Sequence, residues 1–158
     1  MAGYSGTPLI QKIGIKAGHR IVLRNHPESF LKELGPLPEG ATQSNGGKAN
    51  VAVCFTERLV DLKKAFPAMA GKLVPDGMLW ISWPKKASGR PTDLTEDVVR
   101  KVGLECGLVD VKVCAIDETW SGLKFVIRLK DRPAKATPNQ PLKKVGAKRA
   151  RDLKLREQ

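Results

Sequence analysis

The stretch PKKASGRPTD, residues 84–93, sets Lys85, Lys86 and Arg90 around Ser88-Gly89 just ahead of a helix start. Three cations, the Ser88 hydroxyl, backbone N–H groups at Gly89 and the positive end of a helix would together suit a phosphate or carboxylate. The spacing lacks the Gly-x-x-x-x-Gly-Lys-Ser of a nucleotide-phosphate loop, and the same text also reads as an exposed basic loop. Acid–base chemistry has few carriers. Of the two histidines, His26 could work with Glu57 or Asp117 if a cleft brings them together, or it could simply cap a helix. His19 stands at the opposite end of the same strand, so the pair cannot share a metal and no metal site is expected. Cys54 and Cys114 lie inside apolar text and read as small core residues, not nucleophiles. Trp120 is the aromatic residue to border such a cleft, or else to pack over a hairpin.

The elements that must position these residues follow from periodicity. Thr7-Pro8 opens a short helix through Ile13. His19–Arg24, with Ile21-Val22-Leu23 at its centre, reads as a strand buried on both faces. Pro27 suits the first turn of a helix whose apolar face is Phe30, Leu31 and Leu34, stopped by Gly35-Pro36. Residues 36–50 are rich in turn formers and leave room for one weak strand over Ala41–Ser44. Val51–Phe55 is a continuous apolar run typical of a central strand, and Leu59, Leu62, Ala65, Phe66 and Met69 follow at helical spacing. Pro75-Asp76-Gly77 reads as a turn into a strand over Met78–Trp83, in which Trp80 and Trp83 flank Ser82. Asp93 with Glu96 forms a capping box for the next helix. Strands over Val109–Ile116 and Leu123–Leu129 then close the domain, joined through Ser121-Gly122.

Strand and helix alternate until a terminal hairpin, which specifies an α/β fold: a three-layer, mostly parallel sheet ending in an antiparallel hairpin. In such sheets ligands bind beyond the carboxyl ends of the strands. The expected rim is Asn25 and His26, Thr56 and Glu57, Lys85 and Lys86, then Asp117, Glu118 and Trp120.

Composition bounds the rest. The chain has 158 residues, 41% of them hydrophobic, enough for one domain with a real core. No run approaches the roughly 18 to 20 apolar residues of a membrane-spanning helix, and the N-terminal text lacks the plan of a signal peptide. Three cysteines without a Cys-x-x-Cys pair fit a reduced cytoplasm. The net charge of +12 is uneven. Residues 132–158 hold nine basic and two acidic residues, a net +7, whereas residues 1–131 hold nineteen and fourteen, a net +5. The expected division is a folded domain over 1–131 and a basic tail over 132–158, with too little apolar text to order itself. Such a tail offers a contact for nucleic acid or another anionic surface, or is only a solvated extension.

The strings LIQKIGIKAGHRIVL and FPAMAGKLVPDGMLWISWPK, with the terminal hairpin, resemble the Rossmann-like fold of class I methyltransferases that use S-adenosylmethionine. More closely, MAGYSGTPL, WPKKASG and DLTEDVVR…GLVDVKVCAIDETWSGLKFV are similar to a small bacterial family catalogued as a domain of unknown function. The methyltransferase resemblance implies a cofactor grip that this chain does not spell out. The family's first strand ends in an acid and a Gly-x-Gly turn; here Arg24, Asn25, His26 and Pro27 stand there. Its second strand ends in an acid for the ribose hydroxyls, and ATQSNGG has none. Thr56-Glu57 replaces the Asp or Asn motif after the fourth strand. Residues 26–50 are also short for the usual two further strands.

The expectation is therefore a methyltransferase-like scaffold without a cofactor, acting as a non-catalytic binding or regulatory module for an anionic small molecule or partner. An enzyme acting on an anionic small molecule at the same rim is the alternative. A nucleic-acid accessory protein using the tail is the third.

Overall fold

The computed structural model describes residues 7–44 and 46–132. The basic tail expected over 132–158 lies outside the described residues from 133 onward. Six strands form one sheet: β1 Arg20–Arg24, β2 Thr42–Gln43, β3 Ala49–Phe55, β4 Leu73–Pro84, β5 Leu108–Ala115 and β6 Trp120–Ile127. Their order is β2-β1-β3-β4-β6-β5. Strands β1 to β4 are mutually parallel, and β6 runs antiparallel to both neighbours. The helices are α1 Leu9–Ile13, α2 Glu28–Leu34, α3 Leu59–Ala70 and α4 Glu96–Glu105.

Alternation along the central strands builds two cores. On β3, Ala52 and Cys54 point to one face while Val51, Val53 and Phe55 point to the other. On β4, Leu79, Ile81 and Trp83 join the first face, and Trp80 joins the second. The first core is closed by Leu62, Phe66 and Met69 of α3 with Val99 and Val102 of α4. The second is closed by Leu9 and Ile13 of α1 with Phe30 and Leu34 of α2. Trp80 is fully buried, and its indole N–H donates to the Ile13 carbonyl at 2.9 Å, pinning the end of α1 to the sheet. Burying each such side chain stabilises the fold by about 1.5–3 kcal/mol.

Several local expectations differ from the structure, each for a visible reason. Pro75-Asp76-Gly77 is not a turn before β4 but part of it. Leu73 pairs with Ala49 and Met78 with Val51, so three extra residues bulge out of β4. Gly77 sits where a Cβ would come within 3.0 Å of the Ala49 carbonyl oxygen. Ser121-Gly122 is not the hairpin connection; both residues are inside β6. Asp117 makes the turn instead, its Oδ1 accepting from the N–H groups of Thr119 and Trp120 at 2.8 Å each. A Cβ at Gly122 would meet Ile116 at 2.9 Å and Trp80 at 3.2 Å, so the glycine is a packing requirement. Asp93 does not cap α4. Thr95 does, its side chain accepting from the Val98 N–H, and Glu96 pairs with Arg100 rather than completing a capping box. The weak strand expected over Ala41–Ser44 shrinks to the two residues of β2.

Candidate functional site at the carboxyl rim

The crossover from β1 through α2 to β2 goes to one side, and β3 lies on the other side of β1. The sheet therefore has its topological switch point between β1 and β3, where a crevice forms beyond the strand ends. A cleft of about 290 Å³ opens there, lined by Asn25, Pro27, Phe55, Thr56, Glu57, Arg58, Asp61, Arg90 and Trp120. Its apolar wall is built of packed rings: the Trp120 ring stands edge-on to Phe55 at 5.1 Å, and Phe55 is edge-on to Phe30 at 5.0 Å.

Arg90 spans the mouth. Its Nε and Nη2 donate to the same Glu57 carboxylate oxygen at 2.8 and 2.6 Å. Its guanidinium also lies 5.2 Å from the centre of the Trp120 ring. Two more bonds tie this loop to the turn after β3. The Thr92 hydroxyl donates to the Glu57 carbonyl at 2.6 Å, and Asp93 accepts from the Leu59 N–H at 2.8 Å. The PKKASGRPTD loop is thus a clasp, and its Asp93 caps α3 from across the rim.

That arrangement relocates most of the anion-binding features expected from the sequence. The Ser88 hydroxyl donates to the Lys85 carbonyl at 2.6 Å and accepts from the Arg90 N–H at 3.2 Å. The N–H groups of Ser88 and Gly89 are spent within a single 3-10 turn over Lys86–Ser88. Lys85, Lys86, Ser88 and Gly89 stand outside the cleft lining; only Arg90 and Trp120 of the expected set reach it. Trp120 opens β6 instead of lying in a loop, and it is buried.

The acid–base candidates make no hydrogen bond to one another. Glu57 is held by Arg90, and Asp117 Oδ1 is committed to its own turn. His26 Nδ1 is enclosed without a hydrogen-bond partner, and no hydrogen bond joins His26 to either carboxylate. His19 is at the opposite rim, its Nδ1 accepting from the Lys16 N–H at 3.1 Å. No cluster of metal-ligating side chains occurs among the described residues.

Asn25 turns the chain out of β1 with φ 58°, the left-handed region in which glycine is at ease and asparagine is tolerated. On the α3 side of the same rim a second hollow of about 100 Å³ is lined by Arg24, Asn25, Cys54, Thr56, Asp61, Lys64 and Ala65. Burial pushes the Cys54 thiol up to about 11, against a smaller lowering by Arg24. A thiol held neutral in this way is a core group, not a nucleophile. Phe55, Arg58 and Asp61 line the cleft without having been picked out as candidates. Their signal in the sequence is position alone, the last residue of a central strand and the first turn of the helix after it.

No family model matches the chain, and no curated protein matches it. Solved structures do match in fold. One is an S-adenosylmethionine-dependent methyltransferase from Aquifex aeolicus, with a TM-score of 0.53 at 13% identity over 76% of this chain and 88% of that one. Another is magnesium protoporphyrin IX methyltransferase from Synechocystis PCC 6803 with bound S-adenosylmethionine, with a TM-score of 0.50 at 13% identity over 76% and 74%. The chain has a Rossmann-like, methyltransferase-type fold. No helix among the described residues is long and apolar enough to cross a membrane.

Proposed function

We propose that this chain is a non-catalytic binding or regulatory module that takes a small anionic molecule, or the anionic end of a partner, in the rim cleft. The observation that carries the reading is the Arg90 fork. It is laid on Trp120 and occupied by Glu57, while no hydrogen bond joins His26 to Glu57 or Asp117. A ligand carboxylate or phosphate can replace the Glu57 carboxylate on the fork, because bidentate guanidinium geometry suits both. Its apolar part would lie against Phe55, Pro27 and Trp120.

The fold family implies S-adenosylmethionine, and the residues present do not fit it. A cofactor lying on bare backbone needs small residues at the first turn; here Asn25, His26 and Pro27 put side chains there. The two-residue β2 ends at Gln43, with Ser44 next, so no carboxylate faces the ribose position. The cleft itself, at about 290 Å³, is at the lower bound of small-molecule sites, which run from roughly 300 to 1,000 Å³.

The test is a thermal-shift and calorimetric screen of small aromatic carboxylates and phosphomonoesters against the wild type, Glu57→Gln and Arg90→Ala. Freeing the fork in Glu57→Gln should tighten binding of any hit, and Arg90→Ala should weaken it at least about tenfold, the scale of one charge-assisted bidentate contact. Hits that ignore both substitutions would overturn the proposal. Turnover of a hit would favour the enzyme reading.

A further inference from the structure

The face of the sheet that carries α1 and α2 has a second chemical feature, remote from the clasp loop. Lys124 alternates along β6 with Leu123 and Phe125, which face the α3–α4 core, so Lys124 projects from the opposite face. Lys112 of β5 is its cross-strand partner in register and shares that face. Like charges directly opposite on a sheet repel, and this pair is placed with no acid between them. From α1, the Lys12 ammonium reaches the Ala115 carbonyl at 3.3 Å. Lys16 lies in the loop after α1, and the pKa of the Lys124 amine is lowered by burial first and then by Lys112 and Lys16. Four cations therefore crowd one face.

Four acids, Glu57, Glu96, Asp97 and Asp110, are paired away from this face. Their partners are Arg90 and Arg100, and Asp110, the acid of β5, is paired with Arg100 at 2.9 Å. Asp76 borders a hollow beside Lys16 and His19 at the amino ends of the strands. Lys112 and Lys124 form no ion pair among the described residues.

The surroundings select among anionic partners. No exposed aromatic residue borders Lys112 or Lys124 among the described residues, so this face offers no ring for stacking on unpaired bases. A register shift between Asp110 and Lys112 bulges β5 and blunts its free edge against addition of a peptide strand. A cationic face without rings suits the phosphates of a backbone more than unpaired bases. We propose that Lys12, Lys16, Lys112 and Lys124 form a docking face for the phosphate backbone of a duplex nucleic acid, bound without reading its sequence.

The experiment uses the full chain and a fluorescein-labelled, mixed-sequence DNA duplex, followed by anisotropy across a salt series. The patch variant carries Lys16→Gln, Lys112→Gln and Lys124→Gln. A control of equal net charge carries Lys32→Gln, Lys63→Gln and Lys101→Gln, all at exposed positions. Residues 132–158 contribute the same background to every protein. Losing three phosphate contacts should flatten the log–log salt slope of the patch variant by about 2.7, at about 0.9 per contact. Its affinity at low salt should fall at least about tenfold, with the control close to wild type. Melting of each variant checks its fold, and Lys112→Glu alone, at an exposed strand position, should reproduce the loss if the triple variant does not fold. No binding by wild type, an equal loss in the control, or stronger competition by polyglutamate than by unlabelled duplex would each overturn the proposal.

Discussion

Asn25 and Cys54 sit one strand apart on the rim and show what single residues decide. At Asn25 the backbone is left-handed (φ 58°), which costs a side chain with a bulky Cβ about 1–2 kcal/mol. Asn25→Gly should leave chemical-denaturation stability nearly unchanged, whereas Asn25→Val should lose about that amount. An indifferent Asn25→Val would mean the turn is not held in that conformation. Cys54 carries a pH dependence. Its folded value, about 11, exceeds the ordinary 9.0 because burial disfavours the thiolate. The folded state thus holds the proton longer than the unfolded one. The stabilisation is complete below pH 9.0 and is lost as pH rises toward about 11, by up to about 2–3 kcal/mol. Urea melts from pH 8 to 11 should show this loss, and Cys54→Ala should flatten that slope. The sequence disclosed both residues by type and place, because a cysteine in an apolar run and an asparagine at a strand end have few other uses.

At the scale of elements, the sequence pattern located the four α-helices and the five longer strands, with the ends of β4 and β6 shifted, while the polar bonds that tie loops together stayed hidden. Asp93 illustrates the difference. Local spacing assigns it to α4, but its carboxylate takes the Leu59 N–H at the start of α3, a partner 34 residues away that no local pattern encodes. Asp93→Ala should therefore cost about 1 kcal/mol, the usual worth of a cap, and its effect should appear in hydrogen exchange at the first turn of α3. Protection lost only in α4 would contradict the assignment. Gly103 is a second case. An alanine in a helix interior normally gains about 1 kcal/mol over glycine, but here its Cβ would be driven into the Phe125 ring. Gly103→Ala should destabilise by about 1–3 kcal/mol, as overpacking does; a stabilised variant would show that Phe125 can move aside. The same close approach explains Gly122, whose pairing with Ser121 looks like a turn in the text and serves as a packing gap in β6.

For the whole molecule, the order β2-β1-β3-β4-β6-β5 keeps the switch point, the crevice and the closing hairpin of a methyltransferase-type sheet. The segment between β1 and β3 is reduced to one short helix and a two-residue strand. That reduction was readable from the length of residues 26–50 alone, and so was the missing glycine turn. What the sequence did not disclose was how the rim is filled, since the Arg90 clasp depends on Glu57 and Trp120 arriving from distant strands. The central claim is that this scaffold retains the crevice and not the cofactor grip. Its most direct test is calorimetric titration of the full chain with S-adenosylmethionine at millimolar concentration. The account predicts no saturable binding tighter than about 100 μM, or about −5.5 kcal/mol, whereas a saturable isotherm below that dissociation constant would contradict it.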